Sequence, residues 1–255
     1  MKEYRLERIT YIEAEEYAKK GAIVLFPISP LEAHGPHLPL SVDFLGARTL
    51  AEMSAEKLNR QGIPAVVAPL LPYALANAAM PFAGTVTLSA KTVKALISEI
   101  AASFMHHGFK GMVIICQHLE RQNLNALEEI SKELSGGGSP VCTVNPIKAN
   151  EPLMQSMMKG EFPELDVHAG EWETAFCLWK CPDLVKKHMI KELPPIWVNL
   201  REKLYEQGYK DFVEAGGSQC YFGDPSPATP ELGEKIYNIL ADALTKEVVS
   251  WLKGI

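Results

Sequence analysis

Short, unbroken apolar runs alternate with longer stretches of helical periodicity, and this alternation restricts the fold more than any other feature of the chain. The apolar runs are Ala22 to Ile28, Ala65 to Leu70, Gly111 to Cys116 and Val141 to Val144. Helical patterns cover Thr10 to Lys20, Asp43 to Arg60, Ser89 to His107, Asn123 to Leu134, Glu171 to Trp179 and Pro230 to Leu252. A strand that is apolar at every position is buried on both faces. That is the condition of strands in a parallel sheet with helices on either side. Local signals support the boundaries. Thr10 with Glu13 three residues on forms a capping-box pattern, and Ser89 is an N-cap type. Gly62, Gly108 and Gly136-Gly137-Gly138 follow helices, and Pro230 opens one. Gly216 to Pro230 reads as a long loop. With no repeat, low-complexity tract or linker, residues 1–255 read as one α/β domain.

Composition excludes several classes of function. A net charge of −6 and a pI near 5.7 disfavour nucleic acid and anionic membranes as partners. The five cysteines are scattered, with no CxxC pair. This predicts reduced thiols and a cytoplasmic protein. The N-terminal stretch is charged throughout and carries no signal-peptide pattern. Residues 61–90 hold no charge, yet Pro64, Pro69, Pro72 and Pro81 interrupt them. Repeated prolines break helices. The segment therefore reads as a strand and an apolar loop lining a cavity, with no membrane span.

In open α/β sheets, ligands bind at the carboxyl ends of the strands. Three groups of polar residues fall beside such ends or at a helix start. Glu32, His34 and Asp43 follow the first apolar run. Glu32 and His34, two apart in an extended loop, project to one side. Asp43 opens the next helix and could equally be its N-cap. His118 and Glu120 follow the third run, where ligation and a structural role are both open. His168, Glu171 and Glu173 surround the start of a later helix. Carboxylate oxygen and imidazole nitrogen suit Zn, Mn or Fe, and a metal centre in a cleft suits hydrolysis. His37 is a further candidate. His106 and His107 end a helix, where they complement its dipole. His188, among lysines, is placed on the surface. Trp172 and Trp179 read as core or interface residues, and Cys177 and Cys181 as buried free thiols. No GxSxG elbow, P-loop or GxGxxG is present.

Five segments in order give the chain a resemblance to the creatininase (creatinine amidohydrolase) family over nearly its whole length. They are PISPLEAHGPHLPLSVD, PFAGTVTLS, HHGFKGMVIICQHLE, HAGEWET and GDPSPAT. The resemblance implies a three-layer α/β/α sandwich with a mostly parallel central sheet, assembled as a homo-oligomer, often a hexamer. It implies two divalent metal ions, Zn or Mn with Fe as an alternative, held by Glu32, His34, Asp43, His118 and Glu120. Asp43 takes the place of the bridging carboxylate. His168 falls on the position of proton transfer, and Glu173 on a recurrent acidic position beside it. The implied activity is hydrolysis of a C–N amide by a metal-activated water. Substrates in that class are creatinine, a related small amide, a formamide or a peptide amide. Many members read N-G-H-G-G-N around the second histidine. Here the segment is Cys116-Gln117-His118-Leu119-Glu120-Arg121-Gln122-Asn123, which departs from them where the substrate is met. A non-catalytic ligand-binding member is the rival reading. A nucleotide-binding oxidoreductase shares the fold class but needs the glycine-rich loop this chain lacks.

Overall fold

All four apolar runs form strands. The computed structural model describes residues 3–255; Met1 and Lys2, the start of the charged N-terminal stretch, lie outside the described residues. In chain order the main elements are α1 (Tyr11–Lys19), β1 (Ile23–Pro27), α2 (Val42–Arg60), β2 (Ala65–Val67), α3 (Ala90–His106) and β3 (Gly111–Ile115). There follow α4 (Arg121–Gly136), β4 (Val141–Val144), α5 (Pro146–Gln155), α6 (Glu171–Lys180), α7 (Lys187–Ile190), α8 (Leu200–Tyr205) and α9 (Pro230–Leu252). The strands are all parallel, in the order β2-β1-β3-β4. Ile23 pairs with both Ala65 and Gly111, so β1 is central.

Every residue of β1 and β3 is buried, and alternate side chains enter different cores. Ile23, Leu25, Val113 and Ile115 pack with α2, α6 and α9 through Leu50, Phe176, Tyr237 and Leu240. Val24, Phe26, Met112 and Ile114 pack with α1, α3 and α4 through Tyr17, Ile97 and Leu127. The sheet is thus the middle of three layers, as the apolar strands predict.

Helix starts follow the sequence signals. Thr10 accepts from the Glu13 N–H, and the Glu13 carboxylate accepts from the Thr10 N–H at 2.8 Å. Ser89 caps α3 by accepting from the Thr92 N–H at 3.2 Å. Two predicted elements differ by more than one residue at an end. β2 stops at Val67, three residues short of the predicted Leu70. The Ala68 and Leu71 N–H groups still donate to Leu25 and Pro27, but Pro69 has no N–H to extend the ladder. α4 begins at Arg121, before the predicted Asn123, and runs through Gly136. The uncharged stretch 61–90 forms β2 and extended loops. Among the described residues no helix is long and apolar enough to cross a membrane, and all five cysteines are free thiols.

The strand order places a topological switch point between β1 and β3. One crossover from β1 goes to β2 on one side, and the next returns past β1 to β3. Loops leaving the carboxyl ends of these two neighbours diverge, and a crevice opens between them.

α6 and α9 approach closely at Gly233, where an added Cβ would lie 2.3 Å from the Ala175 carbonyl oxygen. Backbone cannot yield as a flexible side chain can. Gly233→Ala is therefore expected to destabilise by about 2 kcal/mol, within the usual range for overpacking. Gly136→Ala, where a Cβ meets nothing within 4 Å, should be neutral or stabilise by about 0.5 kcal/mol. Equilibrium urea unfolding of both variants checks the pair, and equal destabilisation would contradict the packing argument.

Candidate metal centre

Glu32 and His34 lie in the loop that leaves β1, and Asp43 in the first turn of α2. All three are buried, at 0%, 1% and 2% exposure. Ser41 occupies the N-cap position of α2 and makes no side-chain cap bond. Asp43, one position into the helix proper, turns inward, so the reading of Asp43 as a plain N-cap does not hold. His118 follows β3 across the crevice. Its Nδ1 lies 2.9 Å from Glu32 Oε2 and 3.3 Å from Asp43 Oδ2. His34 Nε2 lies 3.6 Å from the other Asp43 oxygen, Oδ1, and 3.7 Å from Glu173 Oε2. Asp43 therefore faces His118 with one oxygen and His34 with the other.

Three sets of ligand-type atoms lie within 4.8 Å of one another: Glu32, His34 and His168; Glu32, Asp43 and His118; and His34, Asp43 and Glu173. All of these residues are buried. Glu120 belongs to none of the three sets. Its Oε1 accepts from Asn77 Nδ2 at 3.1 Å, and its Oε2 accepts from the Ala78 N–H at 3.1 Å. That Oε2 lies 3.9 Å from His118 Nε2, on the far side of the ring from Glu32. Glu173, by contrast, reaches the centre from the first turn of α6. His37 is buried and faces Thr174 Oγ1 at 2.9 Å, away from the cluster. Glu171 accepts from the Lys159 and Gly160 N–H groups and points elsewhere.

The side chains of this cluster are unsatisfied by protein alone. Both Glu32 oxygens, His34 Nε2 and Asp43 Oδ2 are buried without a well-formed hydrogen bond, the approach of His118 Nδ1 to two of the oxygens being that of an ion pair. Buried polar atoms are rarely left so. Orphaned donor atoms of hard and borderline type, converging on one spot, are what a divalent cation needs. The residues present fit a metal centre.

The electrostatics agree. Burial pushes Glu32 up to about 7, against the pull of His118. Burial works against charge on His34, but Asp43 and Glu173 outweigh it and hold the ring well above its usual value. For His118, burial is likewise outweighed by Glu32 and Asp43, and its pKa is also raised. Protons on these rings thus stand where cations could. His168 differs: burial, then the charge of His34, drives it well below its usual value, so the ring is neutral. Its Nε2 lies 2.9 Å from the Ala33 carbonyl, which can only accept. Nε2 therefore carries the hydrogen, and Nδ1 is the basic nitrogen.

The turn that carries His168 is held under strain. Ala169 has a left-handed φ of 51°, and its N–H donates to Glu173 Oε2 at 2.6 Å. Non-glycine residues in that region are uncommon and cluster at functional sites. Asp166 secures the turn from beneath. Its Oδ2 accepts from the Glu171 N–H at 2.7 Å and the Asp224 N–H at 3.1 Å. Burial pushes its own carboxyl up to about 8.

A cleft of about 70 Å³ opens from the cluster to solvent. Asp43, His118, Glu120, His168 and Glu173 line its floor. Leu119, Val167, Leu200, Leu204, Tyr205 and Phe212 form apolar walls. No sequence signal marked α8 or Phe212. Ala78 also lines the cleft, in keeping with the cavity-lining role read from the uncharged stretch.

Known proteins share this arrangement of chain. The chain is 26% identical over 239 residues to a mycofactocin precursor peptide peptidase of Mycolicibacterium smegmatis, covering 90% of this chain and 85% of that protein. It is 23% identical over 196 residues to a creatinine amidohydrolase of Pseudomonas putida, covering 73% and 75%. A crystal structure of creatinine amidohydrolase (creatininase) has the same fold, with a TM-score of 0.77 at 21% identity and 97% of each chain covered. Two further creatininases of this fold, each 20% identical, are described as Mn and Zn-Zn forms. The family model described as Creatininase: Creatinine amidohydrolase matches residues 7–248. With that match spanning nearly the whole chain, the protein belongs to the creatininase family of hydrolases.

Proposed function

We propose that the protein is a metal-dependent amidohydrolase that cleaves a C–N amide bond, using two divalent ions of the Zn or Mn type. The observation that carries this reading is the set of orphaned ligand atoms on Glu32, His34 and Asp43. In this proposal Glu32, His34, Asp43, His118 and Glu173 would hold the ions, with Asp43 placed between His34 and His118. Glu173 takes a ligand role in addition to bracing the His168 turn. Glu120 acts from behind the His118 ring, favouring its orientation and basicity, as outer carboxylates do around ligating histidines. Such a pair of ions supplies a Lewis acid for the amide carbonyl oxygen and lowers the pKa of water from 15.7 toward about 7.

The chain's own residues handle the proton. The amide carbon gains a water oxygen and loses its bond to nitrogen. The leaving nitrogen needs a proton to depart as an amine. His168, neutral and basic at Nδ1, accepts a proton from the attacking water and passes it to that nitrogen. The Ala33 carbonyl fixes its tautomer and ring plane throughout. The apolar walls dry the site and strengthen each of these interactions.

Peptide-like amides are the favoured substrates within this class. The apolar cleft suits side chains, and the curated relatives include proteins described as peptide peptidases alongside creatinine amidohydrolase. A non-catalytic role is disfavoured, because buried carboxylates crowded without a cation are costly.

Metal analysis of the purified protein should find about two divalent ions per chain. Asp43→Ala should lose both and reduce amide hydrolysis by at least about 100-fold, while far-ultraviolet circular dichroism stays unchanged. Full occupancy in that variant would sink the assignment of Asp43.

Metal loading should also release protons. His34 and His118 have raised pKa values without a cation, so they hold protons in neutral solution that a metal must displace. As pH falls, more of each ring is protonated and metal affinity drops. As pH rises, the competing protons leave and affinity climbs. Calorimetric titration with Zn at pH 6 and pH 8, in buffers of different ionisation enthalpy, should show more protons released at the lower pH. A binding heat independent of buffer at both values would refute the proton competition.

A further inference from the structure

The walls of the cleft carry one fixed cation. Among the described residues that line it, Arg201 is the only lysine or arginine. It sits on α8 beside Leu200, and Leu204 and Tyr205 of the same helix face the same space. Tyr205 is held in place, since its hydroxyl accepts from the Arg121 N–H at 3.0 Å and its ring lies under the Arg121 guanidinium at 4.0 Å. Arg201 also lines a second cleft between α4 and α5, which shares Leu119, Arg201 and Tyr205 with the first. The two spaces therefore meet at this side chain, and the site extends well past the metal cluster.

Arg201 is available to a ligand. Its guanidinium forks onto Glu151, with Nη1 donating to Oε2 at 3.1 Å. The Arg201 side chain is 48% exposed, and exposed pairs of this kind contribute about 1 kcal/mol or less. An incoming carboxylate can exchange with Glu151 at little cost. The planar fork of arginine matches a carboxylate by two parallel hydrogen bonds. The other charged groups of the cleft offer no competitor: Glu120 is tied to Asn77 and Ala78, and the remaining carboxylates belong to the cluster.

We infer that Arg201 is a specificity-determining residue that binds the free carboxylate of an acyl-amino acid or short peptide, on the leaving side of the scissile amide, with an apolar side chain against Leu200, Leu204 and Phe212. This inference rests on the amidohydrolase reading and narrows its substrate class. Creatinine has no carboxylate to offer Arg201.

Calorimetry with the metal-loaded protein separates the inference from the reading beneath it. The probes are leucyl-phenylalanine and its C-terminal amide, which stand for the leaving half of a substrate. The free acid should bind about tenfold or more tightly than the amide, the usual scale for a charged hydrogen-bonded group. Arg201→Met should abolish that difference, and Arg201→Lys should keep part of it, with melting temperatures unchanged because the residue is exposed. In parallel, acetyl-alanyl-leucyl-phenylalanine and its amide are tested for cleavage, with the free acid expected to be the better substrate. Equal binding of acid and amide, or a preference that survives in Arg201→Met, overturns the inference whatever the cleavage result. A clear, Arg201-dependent preference without cleavage of either peptide leaves the subsite standing and counts against the amidohydrolase reading.

Discussion

Six ionisable side chains, Glu32, His34, Asp43, His118, His168 and Glu173, meet out of water in this protein, and the rest of the structure serves to keep them there. Each buried charge costs several kcal/mol unless it is paired and hydrogen-bonded. The pairing within the cluster is incomplete, since both Glu32 oxygens and one Asp43 oxygen lack a well-formed hydrogen bond. Protons on His34 and His118 offset part of the acidic charge, and divalent cations would offset more. A cluster with this imbalance is tolerable only when the surrounding cores supply the stability it withholds. Those cores lie directly below it, in the fully buried strands β1 and β3.

The parallel sheet makes the cluster possible. β1 and β3 are neighbours, and the crossovers that follow them leave in opposite directions. The loop after β1 therefore delivers Glu32 and His34, and the segment after β3 delivers His118, to the two sides of one crevice. α2 begins close enough to return Asp43 to the same point. α6 closes the ring by presenting Glu173 in its first turn, and Gly233 lets α9 press against α6 at backbone distance. Cluster residues separated by more than a hundred positions in the chain, such as Glu32 and Glu173, thus depend on strand order for their proximity.

The parallel strands, and the carboxylate and imidazole types that follow them, were legible in the sequence for a physical reason. Strands buried on both faces must be apolar at every position, and that leaves an unmistakable run. Side-chain roles were less legible. Asp43 in a first helical turn satisfies the helix dipole whether or not it binds a metal, so its type alone could not distinguish the two uses. Glu173 and Glu120 both stand near a histidine in the chain, yet only the fold shows that Glu173 faces the centre while Asn77 and Ala78 hold Glu120 at its edge. β2 was overextended because apolar character continues through Pro69, although a proline ends the ladder. α5 went unmarked with prolines at its start and inside it, Pro146 and Pro152. α8, six residues long, is too short to show a period.

The hidden part of the molecule is also the part that, on the proposed function, would choose substrates. The clustered groups stand after strand ends and in first helical turns, where backbone geometry leaves little freedom. The cleft walls come from α8, from Phe212 and from Leu119, all in segments whose positions follow from long-range packing. A change in those segments can redirect the site without touching a ligand atom. The segment around His118, with Gln117, Leu119 and Glu120, is placed where such a change would act. Leu119 adds apolar surface at the junction of the two clefts, where Arg201 stands. On the proposed function, about 1–3 kcal/mol of differential binding at the cleft walls is enough to select between substrates.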